Sequence, residues 1–191
     1  MNTTTTDSGT ATLNATTWKI DPQHTEVGFE VSHMMFAKVR GRFEEVEGTV
    51  IVGPEGSLEN SRVEAVMQAA SISTGNSDRD EHLRSGDFFD VDQYPVLTFE
   101  SKAVRRLESG DLAVTGTLTI RDVSREVELA VTETGRGTDP WGNERIGFSA
   151  TTKIDRRDFD LTWNQALETG GILVGNDIGI NLEVQAVRQT D

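Results

Sequence analysis

The sequence DIGINLEVQAV, from Asp177 to Val187, alternates apolar and polar residues along its whole length. One face would carry Ile178, Ile180, Leu182, Val184 and Ala186, and the other Gly179, Asn181, Glu183 and Gln185. A period of two is typical of a β-strand with one buried face. Because strands of parallel sheets are apolar on both faces, this pattern favours an antiparallel sheet. The segment therefore predicts a long antiparallel strand.

Two further segments alternate as clearly. The apolar face carries Val27, Phe29 and Val31 in Thr25–Ser32, and Leu112, Val114, Gly116, Leu118 and Ile120 in Leu112–Ile120. Weaker copies of the pattern lie at 48–52, 62–72, 96–104, 127–132 and 145–154, with turn signals at 53–56, 109–111, 121–122 and 135–143. About eight strands with this spacing predict an all-β sandwich or barrel.

Three segments depart from the alternation. Residues 76–87 (NSDRDEHLRSGD) are polar and begin with Asn76 or Ser77 as an N-cap, which predicts a short helix that ends at Gly86. The sequence HMMFAK, residues 33–38, predicts a second short helix or a wide turn. The Thr-rich residues 1–17 predict a disordered arm. Since nothing divides the remainder, we predict one domain over 18–191.

The charge and the composition narrow the classes of function. The chain of 191 residues has 18 Lys and Arg against 32 Asp and Glu, a net charge of −14. This charge opposes binding to nucleic acid or to an anionic membrane surface. The sequence has no Cys, which excludes a disulfide, a thiolate zinc site and a cysteine nucleophile. We expect a neutral, apolar or cationic partner.

The N-terminal residues lack the basic and apolar regions of a signal peptide. No apolar run approaches the roughly 18 residues that a membrane-spanning helix needs. The sequence is therefore expected to be cytoplasmic and without a membrane span.

On the three clearest strands, the predicted inner faces carry no charged residue. About eight strands close into a barrel whose interior is either filled by side chains or wide enough for one small ligand. An uncharged interior suits an apolar ligand and gives catalysis few groups. The residues alone are consistent with a filled interior and with a ligand cavity, and a packed core is the commoner outcome in all-β domains.

A metal-dependent enzyme that uses His and Asp side chains near a barrel mouth is an alternative hypothesis. The side chains concerned are His24, His33 and His82, with Asp21, Asp80 and Asp87 nearby in sequence. However, His24 and His33 are an odd number of residues apart, so on one strand they would lie on opposite faces. We predict no metal, no cofactor and no catalytic residue. An acidic scaffold or stress-response partner protein is a third hypothesis.

Basic residues and a Gly-rich turn are candidates for holding a polar head group. Guanidinium groups bind phosphate oxygens bidentately, and the backbone N–H groups of a Gly-rich turn can meet an anion. The head-group candidates are Arg40, Arg42, Arg156 and, in the turn at 170–175, Gly171. Neutralisation of neighbouring carboxylates is the alternative role for each arginine.

Several short motifs together resemble the YceI-like family. They are WKIDPQHT from Trp18, GRF from Gly41, SIST from Ser71, DEHL from Asp80, DFFDV from Asp87, GTLTI from Gly116 and Arg156 before Asp158-Phe159. The similarity extends from Trp18 to Val187. After Phe159 the family usually places Gly, whereas this chain has Asp160.

The resemblance implies a lipocalin-like antiparallel eight-stranded β-barrel with one or two short helices. It implies a non-catalytic carrier of a long apolar ligand, such as a polyisoprenoid, an isoprenyl phosphate, a quinone or a fatty amide. Dimers occur in the family, so a homodimer is one expectation. We predict that the ligand-binding residues are Val27, Phe29, Val31, Phe99, Leu112, Val114, Leu118, Ile120, Phe148, Trp163, Ile178, Ile180, Leu182 and Val184.

Overall fold

The computed structural model describes residues 14–190, which fold into one antiparallel sheet and one α-helix. The strands are β1 (Thr16–Ile20), β2 (Glu26–His33), β3 (Ala37–Phe43), β4 (Val46–Val52), β5 (Arg62–Gln68), β6 (Ile72–Ser73), β7 (Val96–Arg106), β8 (Leu112–Ile120), β9 (Val123–Thr138), β10 (Glu144–Asp155) and β11 (Val174–Arg188). The helix α1 is Ser77–Arg84. Single 3₁₀ turns lie at Pro22–His24, Pro54–Gly56, Ala69–Ser71 and Arg156–Phe159.

The sheet closes into an eight-stranded barrel because three pairs of strands each act as one bent strand. β1 leads into β2, β3 into β4 and β5 into β6. β1 and β2 pair with β4 and β3, respectively, and β4 and β3 pair in turn with β5 and β6. The last strand, β11, pairs with β10 on one edge and with both β1 and β2 on the other. Trp18 lies opposite Arg188, and Val31 lies opposite Ile178. The predicted antiparallel eight-stranded barrel is confirmed.

The barrel has two ends of different construction. One end, here called the Trp18 end, carries β1, the loop at 53–61 and the turns at 107–111 and 139–143. The other, here called the helix end, carries the β2–β3 hairpin tip, α1 and the segment at 156–173. No helix among residues 14–190 is long and apolar enough to cross a membrane.

The predicted helix at 76–87 is confirmed as α1. The Asn76 side chain accepts a hydrogen bond from the backbone N–H of Arg79 at 3.0 Å, as an N-cap does. Ser85, not Gly86, is the C-cap.

Of the two alternatives predicted at 33–38, the structure has the turn and not a second short helix. His33 pairs with Ala37 across the β2–β3 hairpin, so Met34, Met35 and Phe36 form its tip. The turn predicted at 135–143 is confirmed only at 139–143, because residues 135–138 belong to β9 and pair with β10. The cross-strand hydrogen bonds outweigh the low strand propensity of Gly135 and Gly137.

The predicted arm at 1–17 lies mostly outside the described residues, and Thr16 and Thr17 pair with β4. The Asp160 backbone adopts φ 58°, in the left-handed region that Gly occupies most readily. Asp tolerates this region better than most residues, because its short polar side chain can hydrogen-bond locally.

Candidate ligand cavity in the barrel

A cavity of about 280 Å³ lies inside the barrel. Its wall is built from inward-facing side chains of every long strand, and the surface that it presents consists of carbon atoms. Polar residues such as Thr25 and Thr152 contribute only their apolar parts. Such a lining can bury an apolar chain and gives a charged group no partner.

The two sides of the wall differ in how tightly they pack. On β8, the inward side chains of Leu112, Val114, Leu118 and Ile120 are buried. On β2 and β11, the inward side chains of Val31, Ile178 and Ile180 are only half-buried, although the same alternation directs them into the barrel. Their remaining accessible surface faces the cavity. The barrel is therefore hollow along the β2–β11 side.

Two glycines hold phenyl rings flat against the wall. A Cβ atom on Gly116 would lie 2.5 Å from Cζ of Phe99, and a Cβ atom on Gly41 would lie 2.5 Å from Cζ of Phe29. Both distances are far below van der Waals contact, so each ring occupies the recess left by a missing side chain. The recesses keep these two rings out of the middle of the lumen.

The structure places every predicted ligand-binding residue in the cavity wall except Trp163. Trp163 packs against His82 and Phe88 at the helix end, with ring centroids 4.6 and 5.4 Å away. It lies in an irregular segment, where alternation gives no information about direction. The prediction missed lining residues from α1 and the helix end, including Leu83, Phe88, Phe89 and Leu161. Three further missed lining residues could have been found from the alternation over 127–131, which directs Val127, Leu129 and Val131 inward.

Arg156 is buried at the helix end without a carboxylate partner. Its Nε donates to the carbonyl of Gly175 at 2.8 Å, and its Nη1 donates to the carbonyls of Leu161 and Trp163 at 2.6 and 2.9 Å. Burial lowers the pKa of its guanidinium. Since these donors are engaged by the backbone, Arg156 holds the segment at 156–173 against β11.

The other head-group candidates lie outside the lumen. Arg40 and Arg42 fall on the outer face of β3, because the inward positions of that strand are Val39, Gly41 and Phe43. They pair with Glu30 and Glu44, respectively. Gly171 is exposed and its backbone lies against the Met35 side chain. Head-group binding by these residues therefore has no support from the cavity geometry.

The three histidines do not converge. His24 contacts Asp21 and His82 contacts Asp87, each at 2.8 Å, on different parts of the barrel. His33 lies beside the hairpin tip, opposite Val174. Within residues 14–190, no group of three or more His, Asp or Glu side chains is arranged to hold a metal ion.

A cluster of charges at the Trp18 end was not apparent from the sequence. Arg145 Nε lies 2.8 Å from Asp139 Oδ2, and its Nη1 lies 2.6 Å from Asp21 Oδ2. Burial raises the pKa of Asp139, but hydrogen bonds from Asn143, Arg145 and the Trp141 backbone outweigh it, so its pKa lies well below the ordinary value. For Asp21, burial likewise raises the pKa, but hydrogen bonds with Arg145 and His24 outweigh it, so the pKa of Asp21 is also lowered. The cluster ties β1 to the β9–β10 turn.

The family model described as the YceI-like domain matches residues 18–186. The chain belongs to the YceI-like family. A UPF0312 protein from Vibrio parahaemolyticus is 37% identical over 138 residues, which are 72% of this chain and 72% of that protein. The resemblance drawn from the sequence motifs is thereby confirmed.

Solved structures have the same fold. The Campylobacter jejuni YCEI protein is 28% identical and superposes over 100% of both chains with a TM-score of 0.70. A polyisoprenoid binding domain from Saccharophagus degradans is 16% identical, with a TM-score of 0.65 over 90% of this chain and 98% of that one. At that identity, the second likeness shows the barrel fold alone.

Proposed function

We propose that this YceI-like protein is a non-catalytic carrier that holds the long apolar chain of an isoprenoid-type ligand inside its barrel. The observation that carries the proposal is the carbon-lined cavity of about 280 Å³, along which inward apolar side chains on β2 and β11 stay partly accessible. Burial of an apolar chain stabilises a complex by about 25 cal/mol per Å². The polyisoprenoid binding of the Saccharophagus domain supports this ligand class.

The orientation of the ligand follows from the two ends. At the Trp18 end, Leu58 and Trp18 close the lumen with a packed apolar cluster. Toward the helix end, the inward side chains of Val31, Ile178 and Ile180 on β2 and β11 stay partly accessible. The cavity surface itself provides no polar partner for a head group. We therefore place the apolar tail in the lumen, directed toward the Trp18 end, and the head group at the helix end.

Identification of a bound ligand is the first test. Purified protein is extracted with organic solvent, and the extract is analysed by mass spectrometry. We expect a species with a long apolar chain. If neither an extracted species nor uptake of added farnesol or isoprenyl phosphate is found, the carrier function is wrong.

Two substitutions on neighbouring residues of β11 test the site. Ile180→Trp enlarges a side chain that faces the cavity, whereas Asn181→Trp places the same ring on the exposed face. In a hollow barrel, Ile180→Trp is expected to lower the affinity for farnesol at least tenfold and to change the free energy of unfolding by less than about 1.5 kcal/mol. Asn181→Trp should leave the affinity unchanged. A destabilisation by Ile180→Trp of about 3 kcal/mol would indicate a filled core.

A further inference from the structure

The helix end bears a cluster of exposed apolar side chains that the cavity does not use. The cluster, here called the tip patch, consists of Met34, Met35 and Phe36 at the β2–β3 hairpin tip and Ile172 in the neighbouring loop. Phe36 is 83% exposed and Met35 is 70% exposed. Large apolar side chains gain nothing from exposure to water, and a contiguous patch of them on a protein surface is often functional.

Two residues of the hairpin turn have a backbone conformation that residues other than Gly, Asn and Asp rarely adopt. Met34 and Met35 have φ values of 52° and 69°, in the left-handed region where hairpin turns usually place Asn and Gly. The Met34 N–H donates to the carbonyl of Leu173 at 2.8 Å, and the Met35 side chain packs on the backbone of Gly171. The hairpin tip and the loop with Ile172 therefore form one unit.

The tip patch continues the cavity wall to the surface. Val31 and Val174 both line the cavity, and each lies within three residues of the patch along its own chain segment. Val174 is paired with His33 across the β2–β11 ladder, so the two segments run out of the barrel side by side. The tip patch thus lies next to the cavity wall at the helix end, with His33 between Val31 and the patch on β2.

The size and the charge of the patch indicate its partner. Its exposed apolar surface is on the order of 400 Å², half of the roughly 800 Å² per partner of a stable protein interface. A narrow convex tip fits instead between lipid head groups, where Phe, Met and Ile side chains are stabilised by insertion. The cations of the same hairpin, Lys38 and Arg40, share Glu30, and the chain is acidic overall. An uncharged lipid surface is therefore favoured over an anionic one.

We propose that the tip patch inserts into the surface of an uncharged lipid bilayer, which brings the helix end of the barrel against the membrane. Only the purpose of this docking rests on the proposed function: docking would bring a long-chain ligand that resides in a bilayer next to the cavity wall at Val31 and Val174. The docking itself depends on the patch and not on a bound ligand.

Flotation with phosphatidylcholine vesicles tests the proposal on the full chain. The wild type is expected to float with the vesicles, and Met35→Ser/Phe36→Ser is expected to lower the partition coefficient at least about tenfold. Phe36→Ser alone, which removes a side chain that is almost fully exposed, should show part of this loss. Addition of phosphatidylserine should weaken the wild type's binding, because the protein is acidic.

Trp141→Ser is the matched control. Trp141 is 81% exposed in the turn between β9 and β10, at the opposite end of the barrel. Its replacement should leave flotation unchanged. Circular dichroism and thermal unfolding of each variant establish that the barrel is folded.

Separate outcomes overturn the two proposals. If the wild type does not float, or if the double variant floats as well as the wild type, membrane docking is wrong. If the double variant instead changes the molecular mass in solution from dimer to monomer, the patch is an interface between copies. Uptake of farnesol from solution is measured in parallel. If the protein binds farnesol but not vesicles, the carrier function stands and membrane docking is wrong. If it floats with vesicles but does not bind farnesol, membrane docking stands and the carrier function is wrong.

Discussion

Along β10 and β11, the Trp18 end and the helix end differ in how the inward side chains meet, although the opposite wall is packed at both ends. At the Trp18 end, Ile146 is 1% exposed and Ala186 is 0% exposed, in one cluster with Trp18 and Leu58. Toward the helix end, Ile178 is directed inward by the same alternation but belongs to neither packed cluster. Alternation sets the direction of a side chain but not how closely that side chain packs against its neighbours.

Truncation of one isoleucine at each end is the most direct test of this difference. Ile146→Ala is expected to lower the free energy of unfolding by about 2–5 kcal/mol, because it opens a void in a packed cluster. Ile178→Ala only enlarges an existing cavity, and its cost should be about 1–2 kcal/mol. Urea denaturation measures both. Equal losses would contradict the distinction between the ends.

Arg156 is expected to stabilise the helix end through the backbone. Arg156→Met leaves the carbonyls of Leu161, Trp163 and Gly175 without their donor and should cost about 3 kcal/mol. Hydrogen exchange should speed up in the segment at 156–173 and stay unchanged at the Trp18 end. The neighbouring Arg157 is exposed and pairs with Asp155, so Arg157→Met serves as the control and should change the stability little.

The glycine recess at Gly116 links packing to the width of the lumen. A Cβ atom there would also lie 2.6 Å from the carbonyl oxygen of Glu100, so Gly116→Ala must displace both the Phe99 ring and the backbone. We expect a loss of about 1–3 kcal/mol in stability and a weaker affinity for farnesol, since the ring moves into the lumen. Gly137→Ala, in open space on β9, is the control. Unchanged binding by Gly116→Ala would show that Phe99 does not set the width.

The smallest expected effect concerns acid stability at the Trp18 end. The folded-state pKa values of Asp139 and Asp21 lie below their ordinary value of 3.8. The unfolded state therefore takes up protons first as the pH falls. The stability that these carboxylates contribute is present above about pH 4 and is lost as the pH falls through their folded-state values.

Asp139→Asn should accordingly flatten the dependence of the unfolding midpoint on pH below about pH 4. Asp122→Asn, in the exposed turn between β8 and β9, is the control. If the unfolding midpoint depends on pH equally in the wild type and in Asp139→Asn, the cluster around Arg145 does not contribute to acid stability.

The sequence was sufficient to predict the antiparallel barrel, α1 and most of the cavity wall. The antiparallel strands, α1 and most of the cavity wall depend on local patterns, such as the alternation in β2, β8 and β11 and the N-cap at Asn76. β3 was missed because Lys38, Arg40 and Arg42 alternate with few large apolar residues, so its inward face is inconspicuous. The family resemblance, rather than the alternation, favoured a barrel over a sandwich.

The remaining features depend on contacts between distant residues. Arg156 meets carbonyls up to 19 residues away, and Trp163 takes its direction from an irregular segment that Arg156 holds in place. The ion cluster brings together Asp21 and Arg145, which are 124 residues apart. No local pattern encodes such pairings, and none encodes the empty volume between two walls.

The dual pairing of β11 has a consequence for the synthesis of the protein. Because β11 supplies the hydrogen-bond partners for β10 on one edge and for β1 and β2 on the other, the sheet stays open until the ribosome has released the last strand. The nascent chain therefore exposes two unpaired strand edges and its whole apolar inner face, which are features that promote aggregation. Closure joins residues from opposite ends of the described chain, and such non-local pairing makes folding slow. Chaperone engagement during translation is expected to end when β11 emerges.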